Sequence, residues 1–425
     1  MVEERAGFGE KTVEPGGGAF ADGKHAAFPV FAFAHGQGYN PAGELTTTDY
    51  SDSTPDVVIV FDKLGRQQSV TNGVATSVFA YDPATLALDT ETITYNLPGQ
   101  AAFTRVLDRS RDSLGRDTGY TLGTPSPSLA IETQAEYQYS ATTGRLAQIS
   151  NPQISNHQFT YGYESGSSLI ATVTGPVHTV TSTYEPTRDI LASKENKAGT
   201  TIISKYDYTV NGIGQRTNVS TSGTAFPATP SWTWGYDSLG QVVSADSIEN
   251  THDRAYQYDA IGNRKKSADS LTLPGSDNYT SNELNQYSSL SINSQPPTLN
   301  QYDFDGNLTS GQVPIDSAGL VWDAENRLIA VSVIGQDTIH YAYDAQSRRI
   351  SRNVGTETIL YVYDAWNVIA EYSGTSLSKT YLWGTDLSGS QQGAGGGRWP
   401  SFSDHQQSTL NSQLLSNLRR QRKRE

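Results

Sequence analysis

The sequence predicts an all-β protein in which tandem antiparallel β-hairpins coil into a spiral, hollow shell. Three observations carry that prediction. A Tyr-Asp pair with Gly or Asn four positions after the aromatic recurs at steps of 20 to 22 residues in the second half of the chain. Aromatic residues alternate with small or polar ones on the way into each pair, as in Tyr256-Gln-Tyr258, Tyr341-Ala-Tyr343 and Tyr361-Val-Tyr363, so they share one face of a strand. The 425 residues hold 24 Tyr and 39 Gly with only 17% charged residues, a vocabulary of strands and turns.

Taken in order, residues 1–54 read as an irregular, Gly- and Ala-rich lead-in with one strand candidate, residues 28–34. The repeat array is expected over 55–380. Its early units are degenerate: Phe61-Asp62-Lys-Leu-Gly65-Arg66, Tyr81-Asp82-Pro83, Arg111-Asp112-Ser-Leu-Gly115-Arg116 and Tyr139 to Leu146. Tyr163, Tyr184 and Tyr206 or Tyr208 follow. The regular units are Tyr236-Asp237-Ser-Leu-Gly240, Tyr258-Asp259-Ala-Ile-Gly262-Asn263 and Tyr302-Asp303-Phe-Asp-Gly306-Asn307, with Asn282-Glu-Leu-Asn285 between the last two. Trp322-Asp323-Ala-Glu-Asn326, Tyr343-Asp344-Ala-Gln-Ser347 and Tyr363-Asp364-Ala-Trp-Asn367 complete the series.

Each unit has a physical logic. The Asp carboxylate accepts a backbone N–H two residues on and so starts a turn. The Gly or Asn supplies a residue that tolerates positive φ. An exit strand such as Arg327 to Val333 then returns antiparallel. About fourteen hairpins give on the order of 25 to 30 strands, and open twisted sheets rarely exceed ~10 without curling or splitting. A coil of that many strands is too wide for side chains to fill, which predicts a cavity.

The Tyr-Asp units resemble the YD repeats of bacterial rearrangement-hotspot (Rhs) proteins, of related toxin-complex subunits and of the teneurins. The stretch Tyr381-Leu-Trp383-Gly384-Thr-Asp386-Leu-Ser388-Gly389, within 381–397, is similar to the start of the Rhs repeat-associated core. The resemblance implies a spiral β-sheet cocoon that encloses a polypeptide, usually the protein's own C-terminal toxin. The chain departs from that family in one respect. Members carry further core, a plug and a self-cleavage site on paired Asp-Pro motifs, whereas the one Asp-Pro here is Asp82-Pro83. Residues 398–425 are expected to be a basic tail outside the repeat. Leu410, Leu414, Leu415 and Leu418 in that tail suit a short amphipathic helix before Arg419 to Arg424.

Other chemistries find little support. Without Cys there is no disulfide, thiolate nucleophile or Cys-ligated metal. The seven histidines (25, 35, 157, 178, 252, 340 and 405) include no pair at metal-ligand spacing. Asp303-Phe-Asp305-Gly306 has its Gly two places too early for an EF-hand, and the twelfth residue is Pro314. A carboxylate repeated at every turn is turn chemistry, not a glycosidase pair. No G-x-S-x-G elbow, P-loop or dinucleotide fingerprint occurs.

The expectation is therefore no catalytic residue, no cofactor and no metal. The net charge is −14; residues 398–425 carry six cations against Asp404 and Glu425, or +4, which leaves −18 for the rest. Such a body repels nucleic acid. No apolar run is long enough to span a membrane. The N-terminus lacks a basic start and an apolar core, so export is expected by a specialised route from the cytoplasm of a bacterium. The function expected is a non-enzymatic shell that encapsulates and helps deliver a polypeptide toxin or effector in interbacterial competition. Its partners would be that cargo and an immunity or secretion-system protein. The alternatives are a surface adhesion or carbohydrate-binding module using the tyrosines, or a truncated remnant without independent function.

Overall fold

The computed structural model describes residues 35–386 and 398–401, apart from residues 127, 227 and 251 and the segments 274–276, 293–295 and 312–318. The strand expected over 28–34, the glycines of 393–397 and the leucines of the tail lie outside these residues. The described residues contain strands and no helix, so none is long and apolar enough to cross a membrane.

Thirty-four strands follow one another among the described residues. The first 23, from His35–Tyr39 to Thr298–Leu299, form one continuous sheet. Each strand pairs antiparallel with the next in sequence, as in Arg254–Tyr258 with Arg264–Ala268. A two-stranded piece at Gln301–Tyr302 and Leu308–Ser310 continues the run, and a seven-stranded sheet follows from Gly319–Trp322 to Ser376–Thr380. Leu382–Asp386 pairs with Arg398–Ser401 at the end. The sheet starts earlier than the repeat pattern suggests, because His35–Tyr39 and Leu45–Tyr50 already form a hairpin.

The curvature has a local cause. At nearly every Tyr-Asp turn the exit strand carries one extra residue. Gln257 pairs with Lys266 and Tyr258 with Arg264, leaving Lys265 unpaired. The same slip occurs beside Tyr236, Trp322, Tyr343 and Tyr363. A bulge bends its strand and increases the right-handed twist. Repeated along one edge of a ribbon, it makes the ribbon coil.

The two faces differ. Cross-strand registers put Tyr161, Tyr184, Tyr206, Trp232, Trp234 and Tyr256 on one face, called here the aromatic face. The opposite face holds Thr172, Thr181, Ser220, Thr233 and Asn278.

The core sits where the end of the ribbon overlaps its beginning. Ile93, Tyr95, Phe103, Leu107 and Leu122 on the aromatic face of the early strands pack with Leu360, Val362, Ala370 and Tyr372. The late residues alternate with Tyr361 and Tyr363, so they belong to the opposite face. A sheet folded back on itself would bring like faces together. Here unlike faces meet, which is the signature of a coil. Between Thr160 and Ser310 the buried apolar side chains among the described residues are few and small, namely Val180, Val219, Ala245, Ala255 and Ala268. That stretch of wall is one layer thick.

The size of the coil follows from the overlap. The Tyr95 hydroxyl donates to the Tyr361 carbonyl at 2.8 Å. Tyr95 ends the sixth strand and Tyr361 lies in the thirtieth, so one turn takes 24 strands. At ~4.8 Å per strand the circumference is about 115 Å and the diameter about 37 Å for strands along the axis. Among the described residues no ladder closes the ring: the sheet is open, and its windings meet through side chains.

Candidate functional site

The turn residues build the rim of the wall. Asp237 Oδ1 accepts the N–H groups of Leu239 and Gln241 at 2.9 Å each. Asp259 Oδ1 takes those of Ile261 and Asn263 at 3.0 and 2.8 Å, and Asp303 those of Asp305 and Asn307. Asp323 and Asp344 do the same within their own turns. The carboxylate therefore spans the loop, binding residues two and four places on. Gly240, Gly262 and Gly306 have φ of 81°, 94° and 86°, and Asn326 and Ser347 fill the same place at 57° and 61°.

The aromatic partner of each Asp reaches back one hairpin. Tyr236 donates to the Arg216 carbonyl, Tyr258 to Val242 and Tyr302 to Tyr287. Trp322 Nε1 donates to Leu308, Tyr343 to Leu328, Tyr363 to Arg349 and Trp383 Nε1 to Val368. The accepting carbonyl lies beside the bulge, where the ladder is interrupted. Burial raises the Tyr363 hydroxyl to about 12. Gly384 lies against the wall: a Cβ there would stand 2.3 Å from the Tyr161 hydroxyl oxygen, so any larger residue would have to displace that ring.

A third side chain staples each turn to the next. Arg327 holds Asp323 through Nε at 2.7 Å, reaches the Asp344 carbonyl and lies over the Tyr343 ring at 5.3 Å. Arg348 repeats this with Asp344, the Ala365 carbonyl and Tyr363. Asn263 and Asn307 bind the next turn's Asn285 and Asn326.

Asp364 departs from its series. Its strand pairs onward through Asp364 and Asn367 around a two-residue turn, which leaves no loop amides to bind. Its carboxylate instead accepts Arg109 Nε at 2.9 Å across the seam. Arg109 also bonds Glu91 at 3.1 Å, and Arg348 approaches Glu91 at 3.6 Å. Burial opposes the Arg109 charge, but Asp364 and Glu91 more than compensate and hold its pKa above the usual value. Beside this cluster Arg105 pairs with Glu132 at 2.6 Å, Tyr372 donates to the same carboxylate, and Asn72 Nδ2 donates to the Tyr343 carbonyl.

The contacts across the seam have no signal in the sequence, because their partners are 240 to 271 positions apart. Two further turns, built on Asn40 with Gly43 and Asn211 with Gly214, were recognisable once Asn is allowed in the Asp place.

Between the two windings lies a cleft of about 470 Å³, mainly apolar, lined by Pro55, Val74, Leu97, Ile329, Tyr341 and Ala342 among others. Lys194, on the aromatic face of the single-layer wall, is pushed down to about 8 by burial. Among the described residues no three His, Cys, Asp or Glu side chains are grouped to hold a metal.

The family model of the teneurin YD-shell matches residues 126–373. Among solved structures, the chain is similar to a mutant Tc holotoxin pore of Photorhabdus luminescens, at 13% identity over 80% of this chain and 21% of that one, with a TM-score of 0.40. A TcdB2-TccC3-TEV structure matches at 13% identity over 87% and 24%, with a TM-score of 0.40. A TcdB2-TccC3-Cdc42 structure matches at 12% over 84% and 24%, with a TM-score of 0.41. The chain thus spans less than a quarter of the length of these proteins. No curated protein matches.

Proposed function

Since the chain belongs to the teneurin YD-shell family, whose model covers more than half of it, we propose that this protein is a non-enzymatic structural wall that encloses a polypeptide. The observation that carries the proposal is the coil itself. Unlike faces of one ribbon meet at the seam, and a wall one layer thick runs between. With sheet layers ~10 Å apart, a coil about 37 Å across keeps a lumen of roughly 25 Å. That is wide enough for an unfolded chain or a small folded segment. Confinement, not a shaped pocket, would hold the cargo, and a toxin or effector bound for export is the class we favour.

The aromatic residues support a structural role more than an adhesive one. Their hydroxyls are spent on neighbouring carbonyls, and several rings lie under guanidinium groups, Tyr208 beneath Arg216 at 4.2 Å among them. Small-angle X-ray scattering tests the hollow wall. A filled globule of this length has a radius of gyration of about 21–22 Å. We expect a clearly larger value with pair distances weighted toward the diameter of a shell. A radius near that of a filled globule would sink the proposal. With the shell established, a co-expressed cargo should resist protease in its presence and be digested without it.

A further inference from the structure

The rim of the ribbon carries a row of exposed apolar side chains that the shell itself does not need. The residue two places after the turn Asn or Asp is Ile213, Leu239, Ile261 and Leu284 in four successive hairpins. In the fifth, Phe304 stands one place earlier. All five are 68–81% exposed. Single exposed apolar residues are ordinary, whereas aligned ones mark an interface.

The row is held at fixed spacing. The N–H of each of the four binds its own turn at 2.9–3.1 Å. The turns are also stapled to one another by Gln215 to the Gly240 carbonyl and Asn263 to Asn285. Successive turns stand two strands apart, so the five side chains repeat about every 10 Å along about 40 Å.

The turn does not itself require an apolar residue in this slot. Asp323 and Asp344 carry Glu325 and Gln346 there, and their carboxylates bind the loop N–H groups in the same way. Glu325, moreover, is engaged within the chain by the Tyr50 hydroxyl. Elsewhere on the rim the slot is mixed, with Leu64, Leu114 and Trp366 exposed in some turns and Glu325 and Gln346 in others, whereas Ile213 to Phe304 places an exposed apolar side chain on five successive turns.

We infer that this rim, Ile213 to Phe304, is a self-association surface that takes a second copy of the same chain in an antiparallel, two-fold arrangement. A row of equal spacing reversed upon itself keeps its spacing, so each side chain falls between two of its copy, as an isologous contact requires. The flanking turn residues Gly212, Gly214, Ser238, Gly240, Ala260 and Gly262 bring no charge into the contact. The acids of the row, Glu283 and Asp305, both lie toward one end. An antiparallel pairing sets them against Ile213 and Leu239 of the copy, not against each other, which matters for a chain of net charge −14. Five large side chains offer an apolar strip on the order of 500 Å². With the backbone of the turns this approaches the ~800 Å² per partner of a standard interface.

Sedimentation velocity on the full chain from about 1 to 100 μM decides the matter. The wild-type chain is expected to shift from monomer to dimer over that range. Leu239→Glu with Ile261→Glu should weaken association at least about tenfold while circular dichroism and the unfolding midpoint stay unchanged. Leu64→Glu with Leu114→Glu, the same slot outside the row, should leave association as it is. If the glutamates disturb the fold, Leu239→Gln with Ile261→Gln, the residue Gln346 already places in this slot, replaces them. A wild-type chain that stays monomeric throughout, or a dimer that survives the rim variants, overturns the inference.

Discussion

At the scale of single residues, the repeated Asp does two jobs with one carboxylate, and Asp259 shows both. Its Oδ1 gathers the N–H groups of Ile261 and Asn263, and its Oδ2 accepts the Asn263 side-chain amide at 2.9 Å. Partial desolvation works against the charge, but these hydrogen bonds prevail and hold the carboxyl below its usual range. Asp259→Ala is predicted to speed hydrogen exchange at Ile261 and Asn263 several-fold. Asp259→Asn should retain most of the protection, because Asn211 and Asn282 already fill this place in their own turns. A depressed carboxyl pKa stabilises the fold above the unfolded value of ~3.9 and loses that contribution as pH falls through the folded value. Asp62 is depressed chiefly by the Arg66 N–H and Asp112 by the Arg116 side chain. The unfolding midpoint should therefore drop below about pH 4 more steeply in the wild type than in Asp259→Asn.

At the scale of the hairpin, strand pairing is interrupted by a bulge beside nearly every Tyr-Asp turn, and the following aromatic repairs the loss. Tyr343 donates to the Leu328 carbonyl at 2.8 Å, the position where the Val321 and Trp322 register slips. Replacing Tyr343 with Phe keeps the ring under Arg327 and removes that hydrogen bond alone. The expected cost is about 1 kcal/mol, read as a lower denaturant midpoint. An unchanged midpoint would mean that water satisfies the carbonyl equally well. The twist added by the bulges accumulates along the ribbon, so a hairpin-level defect in pairing is also what shapes the coil.

For the whole molecule the decisive contacts are at the seam, which joins strands that no ladder connects. Arg109 is 7% exposed and bridges Glu91, at 3%, to Asp364. Removing it leaves Asp364 without its cation and Glu91 with the more distant Arg348 at 3.6 Å, and breaking a buried pair in this way typically costs about 3–5 kcal/mol. Arg109→Ala should accordingly loosen the winding. Protease cleavage is expected first in the late hairpins around 340–380, with far-ultraviolet circular dichroism largely kept. Arg66→Ala, which removes the partly exposed Arg66–Asp62 pair of a single turn, should do little by comparison. Equal proteolysis of the two variants would show that apolar packing alone closes the seam.

Adjacent residues specify the repeating unit and, through it, the coil. Alternation fixed the strands, and Asp followed by Gly or Asn fixed the turns, because turn chemistry is local and written in adjacent residues. The strand number then demanded a coil, since twist adds up along any long ribbon. The Asn40 turn was less legible because Asn replaces Asp there, and the Asp364 unit because two residues suffice for its turn. Only the tertiary structure decided how far the ribbon travels before meeting itself, which faces meet, and which charges the overlap buries. Glu91, Arg109 and Asp364 look like ordinary surface residues of three separate strands. They become partners because the accumulated twist and bulges return the ribbon after 24 strands, a long-range sum that no single repeat contains.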